Sequence, residues 1–270
     1  MGEMIIEMFK FPFMQRALAV GILIALTAAL LGVCLVLKRF SMIGDGLSHV
    51  GFSALAIASV CGLAPLAIAI PVVVAAAFFL LRLSNGKDSI KSDAAIALAS
   101  TSALAIGVIV LSLTTGMTTD VNNYMFGSIL SMSHSDAVVG VIACVALIIL
   151  FVLFYNRIFA VTFDENFAGA TGLRTGDYRA LISVLTAVII VIGLRLVGAM
   201  LISGLLIFPA LSAMKTARSY KGVTVLAAVI GVICFITGLV LSFFAALPTG
   251  ACIILVNLVC FIICSLFGKQ

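Results

Sequence analysis

The sequence predicts an all-α, polytopic integral membrane protein with eight or nine transmembrane helices. Three observations carry this. Of 270 residues, 64% are hydrophobic and 9% charged, more apolar surface than a soluble domain of this length needs. The apolar residues fall in long runs between short polar clusters, each run about long enough to cross or nearly cross a bilayer. The runs are apolar on every face, whereas the strands of an outer-membrane barrel alternate apolar and polar positions.

In chain order, the first run covers 17–37 and ends at Lys38 and Arg39. Runs at 46–61 and 65–81 flank a turn near Gly62–Pro65, and Arg82, Lys87 and Lys91 follow the second of them. A run at 94–114 leads into Thr115–Asp136, which has no Lys or Arg, and 137–155 follows. The longest polar stretch, Asn156–Ala180, holds Arg157, Arg174 and Arg179. The segment 180–214 reads either as two spans, 180–194 and 196–214, around Arg195, or as something more irregular. Lys215, Arg218 and Lys221 precede 223–243, and a turn near Leu247–Thr249 precedes 250–267. Loops rich in Lys and Arg face the cytoplasm, so the turns that lack them face outward. Nine spans place the N-terminus outside and the C-terminus inside; eight place both on one side.

Composition also bounds function. The formal net charge of +5 comes from these short loops, and no basic tract is dense enough to track nucleic-acid phosphates. The N-terminal segment lacks a basic n-region and a small-residue cleavage site, so it is not expected to be a cleaved signal. The chain has no GxxxxGK[ST] phosphate loop, so it is not expected to be an enzyme that hydrolyses ATP by itself. It has no HExxH, and only 2 His in all, which ranks an intramembrane metalloprotease low. The 7 Cys lie in or beside apolar runs without a CxxC pair and read as small apolar filler.

The sharpest local feature is Asp45 with His49. No other charged residue lies between Arg39 and Arg82. Ionisable groups in a membrane segment are costly and usually functional, and positions i and i+4 share a helix face. If one helix covers 40–61, His49 stands roughly 15 Å beyond Arg39, near the midplane. Gly44, Gly46 and Gly51 thin the helix around the pair. Carboxylate and imidazole both ligate metals, and on one face they could point together into a pore. The alternative is structural: Asp45 as an N-cap and His49 as an interhelical hydrogen-bonding group. Two ligands are in either case fewer than zinc or manganese takes.

Residues 163–177 read as a short amphipathic helix between turns. Asp164 is the expected N-cap, Glu165 sits in the acid-favouring first turn, and Gly172 and Gly176 offer stops. Phe163, Phe167 and Leu173 would form a small apolar face. The segment is either an ordinary loop or a helix that docks in a groove of another protein. Asp120, His134 and Asp136 lie in the outward stretch, where they could draw cations toward a pore mouth or serve as solvated loop residues, with Ser135 or Asp136 capping the next helix.

Six motifs occur in one order: GDGLSH (44–49), SDAAIALASTSALAIGVIVLSL (92–113), DVNNYMFGSILSMS (120–133), FDENFAGATGL (163–173), VGAMLISGLLIFPALSA (197–213) and LPTGACIILV (247–256). Together they resemble the metal-ion permeases of bacterial ABC transporters, the zinc and manganese importers, over nearly the whole chain. The resemblance implies an ABC importer permease fold, with residues 1–270 as a single transmembrane permease domain in the bacterial cell membrane. It implies a homodimer, a cytoplasmic ATP-binding subunit and an extracytoplasmic metal-binding protein that delivers the ion. It matches Asp45 and His49 to path-lining metal contacts. It also matches the segment Asp164, Glu165, Ala168 and Gly172 to the helix that couples to the ATPase. Two departures stand out: relatives often carry an acid where this chain has Ala246, and often read IPAA where it has Phe208-Pro209-Ala210-Leu211. No permanently bound cofactor is expected; the metal is cargo. His49 favours zinc, with manganese or iron as alternatives. A secondary transporter driven by an ion gradient is the competing class, and it predicts inverted repeats that the chain does not display.

Overall fold

The computed structural model describes residues 11–83, 92–114 and 132–268. Asp120 lies outside the described residues, as do Lys87 and Lys91. Among the described residues the regular structure is helical throughout. The helices are α1 (Pro12–Leu37), α2 (Ile43–Val60), α3 (Pro65–Leu83), α4 (Ser92–Thr114) and α5 (His134–Leu153). There follow α6 (Tyr155–Phe163), α7 (Glu165–Ala170), α8 (Thr175–Val197), α9 (Ala199–Thr216), α10 (Tyr220–Ala245) and α11 (Thr249–Phe267).

Eight of these are long and apolar enough to span a bilayer by themselves, and α3 contributes a shorter apolar stretch, Pro65–Leu80. The chain is a multi-pass membrane protein. A contact decides the role of α3. Lys38, after α1, reaches Glu165, at the start of α7, at 3.4 Å. The two therefore lie on one side, and an even number of crossings separates them. Since α2, α4 and α5 are each long and apolar enough to cross, α3 crosses too, which makes nine spans among the described residues.

Helices α1, α2, α8 and α9 are the most buried. α1 packs on α9, α10 and α5; α8 packs on α3, α9 and α2. Close approach between helices comes from glycine, since lipid offers no hydrophobic force to drive them together. The Cα of Gly32 on α1 lies against the Leu206 carbonyl of α9, and Gly238 on α10 against the Ile253 backbone of α11. The outer helices turn large side chains outward: Leu98, Ile109 and Leu113 on α4, Ile142 and Val152 on α5, Leu255 and Val259 on α11. In lipid such exposure carries no penalty.

The segment 180–214 resolves into two helices joined at one residue, three positions beyond Arg195. Gly198 has φ 93° and ψ 159°, a region essentially reserved for glycine. A side chain there would forbid the reversal.

The polar stretch Asn156–Ala180 is more ordered than its composition suggests. It contains α6, which the sequence reading missed, and then α7. Gly176, expected as a stop, is instead the second residue of α8.

Candidate functional site

Three glycine contacts pack α2 closely against its neighbours around the pair. An added Cβ at Gly44 would meet Leu206 of α9, at Gly46 Ile96 of α4, and at Gly51 Leu194 of α8. Ser48 donates to the Gly44 carbonyl at 2.7 Å and lies 3.5 Å from the Ser203 hydroxyl of α9. The same helix carries Asp45 and His49. Their Oδ2 and Nε2 atoms are 3.7 Å apart, with the histidine side chain 15% exposed and the aspartate 49%. That separation is too long for a hydrogen bond and leaves both atoms free to converge on a third.

Two structural expectations for this pair are corrected. The N-cap of α2 is Met42, without a side-chain cap bond, and Asp45 is in the first turn, where the helix dipole still favours its charge. The helix also begins at Ile43 rather than at residue 40, because the chain turns first. Arg39 adopts φ 61°. Its N–H bonds the Val36 carbonyl, and the Phe40 N–H bonds the Leu35 carbonyl. This is the Schellman closure of α1 with arginine where glycine is usual. His49 thus stands roughly 9 Å along α2 from its start, nearer the Lys38–Arg39 side than expected. Among the described residues no group of three or more His, Cys, Asp or Glu gathers to hold a metal. One chain therefore offers two donors and no closed cage.

The segment 163–177 matches its expected caps at Asp164 and Gly172. Asp164 accepts from the Phe167 N–H at 2.9 Å. At the other end Gly172, at φ 86°, allows its N–H to reach the Gly169 carbonyl and that of Leu173 to reach Ala168. Ala168 is buried, whereas Phe163 and Phe167 are 76% and 66% exposed. Leu173 is half-buried and takes less part in that face. Glu165 does more than complement the helix dipole. Its Oε2 lies 3.4 Å from Lys38 Nζ and its Oε1 3.3 Å from Arg179 Nη1. Lys38 and Arg179 entered the sequence reading only as loop charges.

At the opposite side, Ser133 caps α5, not Ser135 or Asp136. Its hydroxyl accepts from the Asp136 N–H at 3.1 Å and donates to Asp136 Oδ2 at 2.7 Å. Asp136 Oδ1 also pairs with Arg195 Nη2 at 2.9 Å. Its charge is thus matched within the protein. His134 is exposed at the first position of α5. The structure does not bring this outer group to Asp45 and His49. Arg195 was the missed partner; a lone charge in an apolar run is the signal that marks it.

Comparison with known proteins places this architecture. The ABC 3 transport family matches residues 10–268. The manganese transport system membrane protein MntC of Listeria monocytogenes is 29% identical over 97% of this chain and 93% of its own length. The high-affinity zinc uptake system membrane protein ZnuB of Haemophilus influenzae is 28% identical over 96% of this chain and 99% of its own. Among solved structures, PsaBC from Streptococcus pneumoniae in complex with Fab superposes with a TM-score of 0.87 at 30% identity, covering 97% of this chain and 94% of that one.

Proposed function

This chain belongs to the ABC 3 transport family, and from that premise we propose that it is the membrane-spanning permease of an ATP-driven divalent-metal importer with zinc as its cargo. The observation that carries the reading is the Asp45–His49 pair, its carboxylate half-exposed, on a helix packed closely through its glycines. A carboxylate and an imidazole, side by side and not hydrogen-bonded to each other, are two borderline-to-hard donors. Two ligands hold an ion loosely enough to release it, as a transit site must. Water or a second copy of the chain supplies the rest of the shell.

The ATP-binding subunit docks on α7, and Phe163 and Phe167 are its contacts. Aromatic side chains so exposed beside a capped polar helix fit a groove in a protein. ATP hydrolysis falls to that subunit, and an extracytoplasmic metal-binding protein delivers the ion to the side of Asp136 and Gly198. Two copies of this chain form the path between them.

Relatives named for manganese and for zinc are about equally similar, so the zinc assignment rests on His49. Expression with the cognate ATP-binding and metal-binding partners in a host lacking its zinc importer tests the reading. Growth on limiting zinc is expected with the native chain and lost with Asp45→Ala or His49→Ala. Undiminished growth with both substitutions overturns the site. Rescue of manganese-limited but not zinc-limited growth overturns the cargo.

A further inference from the structure

We propose that Glu165 is a positioning residue that ties the docking helix α7 to the turn from which Asp45 projects, through a three-charge bridge with Lys38 and Arg179. The inference rests on the docking role proposed for α7 and concerns what happens on the permease side of that contact.

α7 has six residues, too few to be stable or fixed in place by its own hydrogen bonds. The caps at Asp164 and Gly172 define the helix but do not say where it sits. Ala168 anchors it by packing, and the polar tether is Glu165. Each carboxylate oxygen takes a different cation, Lys38 at 3.4 Å and Arg179 at 3.3 Å. The two cations belong to different spans.

Lys38 is the C-cap of α1, and its side chain is only 11% exposed. Pulling Glu165 away would leave a nearly buried ammonium without its counter-charge, which is far more costly than breaking a surface pair. The bridge therefore moves as a unit. Beyond Lys38 the chain has no slack. Arg39 and Phe40 close the Schellman turn, Phe40 is buried, and Ile43, fully buried, begins α2. Asp45 follows in the first turn. A displacement of α7 thus reaches the metal pair through one rigid turn.

The second arm reaches the same helix from the other side. Arg179 stands near the start of α8, and Leu194 near the end of α8 packs against Gly51 of α2. The bridge joins α7 both to the turn that leads into α2 and to α8, which packs on α2, whereas Phe163 and Phe167 are exposed.

The test uses the whole transporter in proteoliposomes, with its ATP-binding and metal-binding partners, and reads zinc uptake per ATP hydrolysed. Lys38→Met removes one arm at similar length and Arg179→Gln the other. Each is expected to lower uptake per ATP about fivefold or more. Glu165→Gln should match the stronger of them, and Lys38→Met combined with Glu165→Gln should add little to either alone. A ratio unchanged in both Lys38→Met and Arg179→Gln overturns the proposal while leaving the docking role intact. If Glu165→Gln does not fold, those two variants decide it. Loss of the ATP-binding subunit from purified Lys38→Met complex also overturns it, because the bridge would then shape the docking surface itself. The docking role fails separately, if the subunit still copurifies with a Phe163→Ser, Phe167→Ser variant.

Discussion

Asp136 on α5 and Arg195 on α8 form a 2.9 Å ion pair that fastens the start of one span to the end of another. Both side chains are about a third exposed, so the pair is partly screened. Asp136→Asn keeps the capping contact to Ser133 and loses the charge. It is expected to cost about 1 kcal/mol, read as a lower thermal midpoint in detergent. Exchange of the two charges, Asp136→Arg with Arg195→Asp, should recover most of the loss. An unshifted midpoint in Asp136→Asn would show that the pair contributes nothing.

Helix contacts through glycine predict opposite effects at two positions. A Cβ at Gly32 would run into the Leu206 carbonyl, which is backbone and cannot step aside. Gly32→Ala should force α1 from α9 and cost about 2 kcal/mol. Gly176 in the first turn of α8 has nothing within 4 Å, so Gly176→Ala should stabilise by about 0.5–1 kcal/mol. Urea titration of the purified chain separates the two; equal shifts in the same direction contradict the packing.

Ala246 closes α10 in the left-handed conformation, at φ 52°. An L-residue there carries roughly 1–2 kcal/mol of strain, part of which glycine relieves at the expense of backbone entropy. Ala246→Gly should raise stability by about 0.5 kcal/mol. A fall in the thermal midpoint would mean that the alanine methyl has a packing role.

The cargo proposal makes a claim about ligand type. Replacing the imidazole by a carboxylate gives an all-oxygen pair, which suits manganese better than zinc. His49→Asp should shift transport preference toward manganese, measured by competing the two ions in one uptake assay. A preference that does not move removes His49 from the selecting ligands.

Phe163 and Phe167 are largely exposed, with Phe163 keeping a ring contact to Phe159, so their loss should change stability little. Each substitution by Ser is expected to weaken binding of the ATP-binding subunit by about tenfold or more, measured by titrating that subunit against permease in nanodiscs. A stability loss without an affinity loss would make them internal packing residues.

The spans were legible because each apolar run is its own signal, and most helix ends fall within a few residues of the expectation. Caps were legible where chemistry is local. Asp164 and Gly172 are read from residues a turn away. Met42 and Arg39 were not legible, since neither residue type marks the backbone it adopts. The long-range pairings were hidden for another reason. Lys38 and Glu165 are 127 positions apart, and four crossings must be assembled before they meet. Sequence located Asp45 and His49 as a pair; the close glycine contacts around them depend on α4, α8 and α9 together.

The reversal at Gly198 has a consequence for how α8 and α9 can move. One residue supplies no spare contour length, and Leu196, Val197, Gly198 and Ala199 are all buried, so the two helices meet inside the bundle without a loop. An insertion beside Gly198, even of a few flexible residues, would convert a fixed joint into a compliant one.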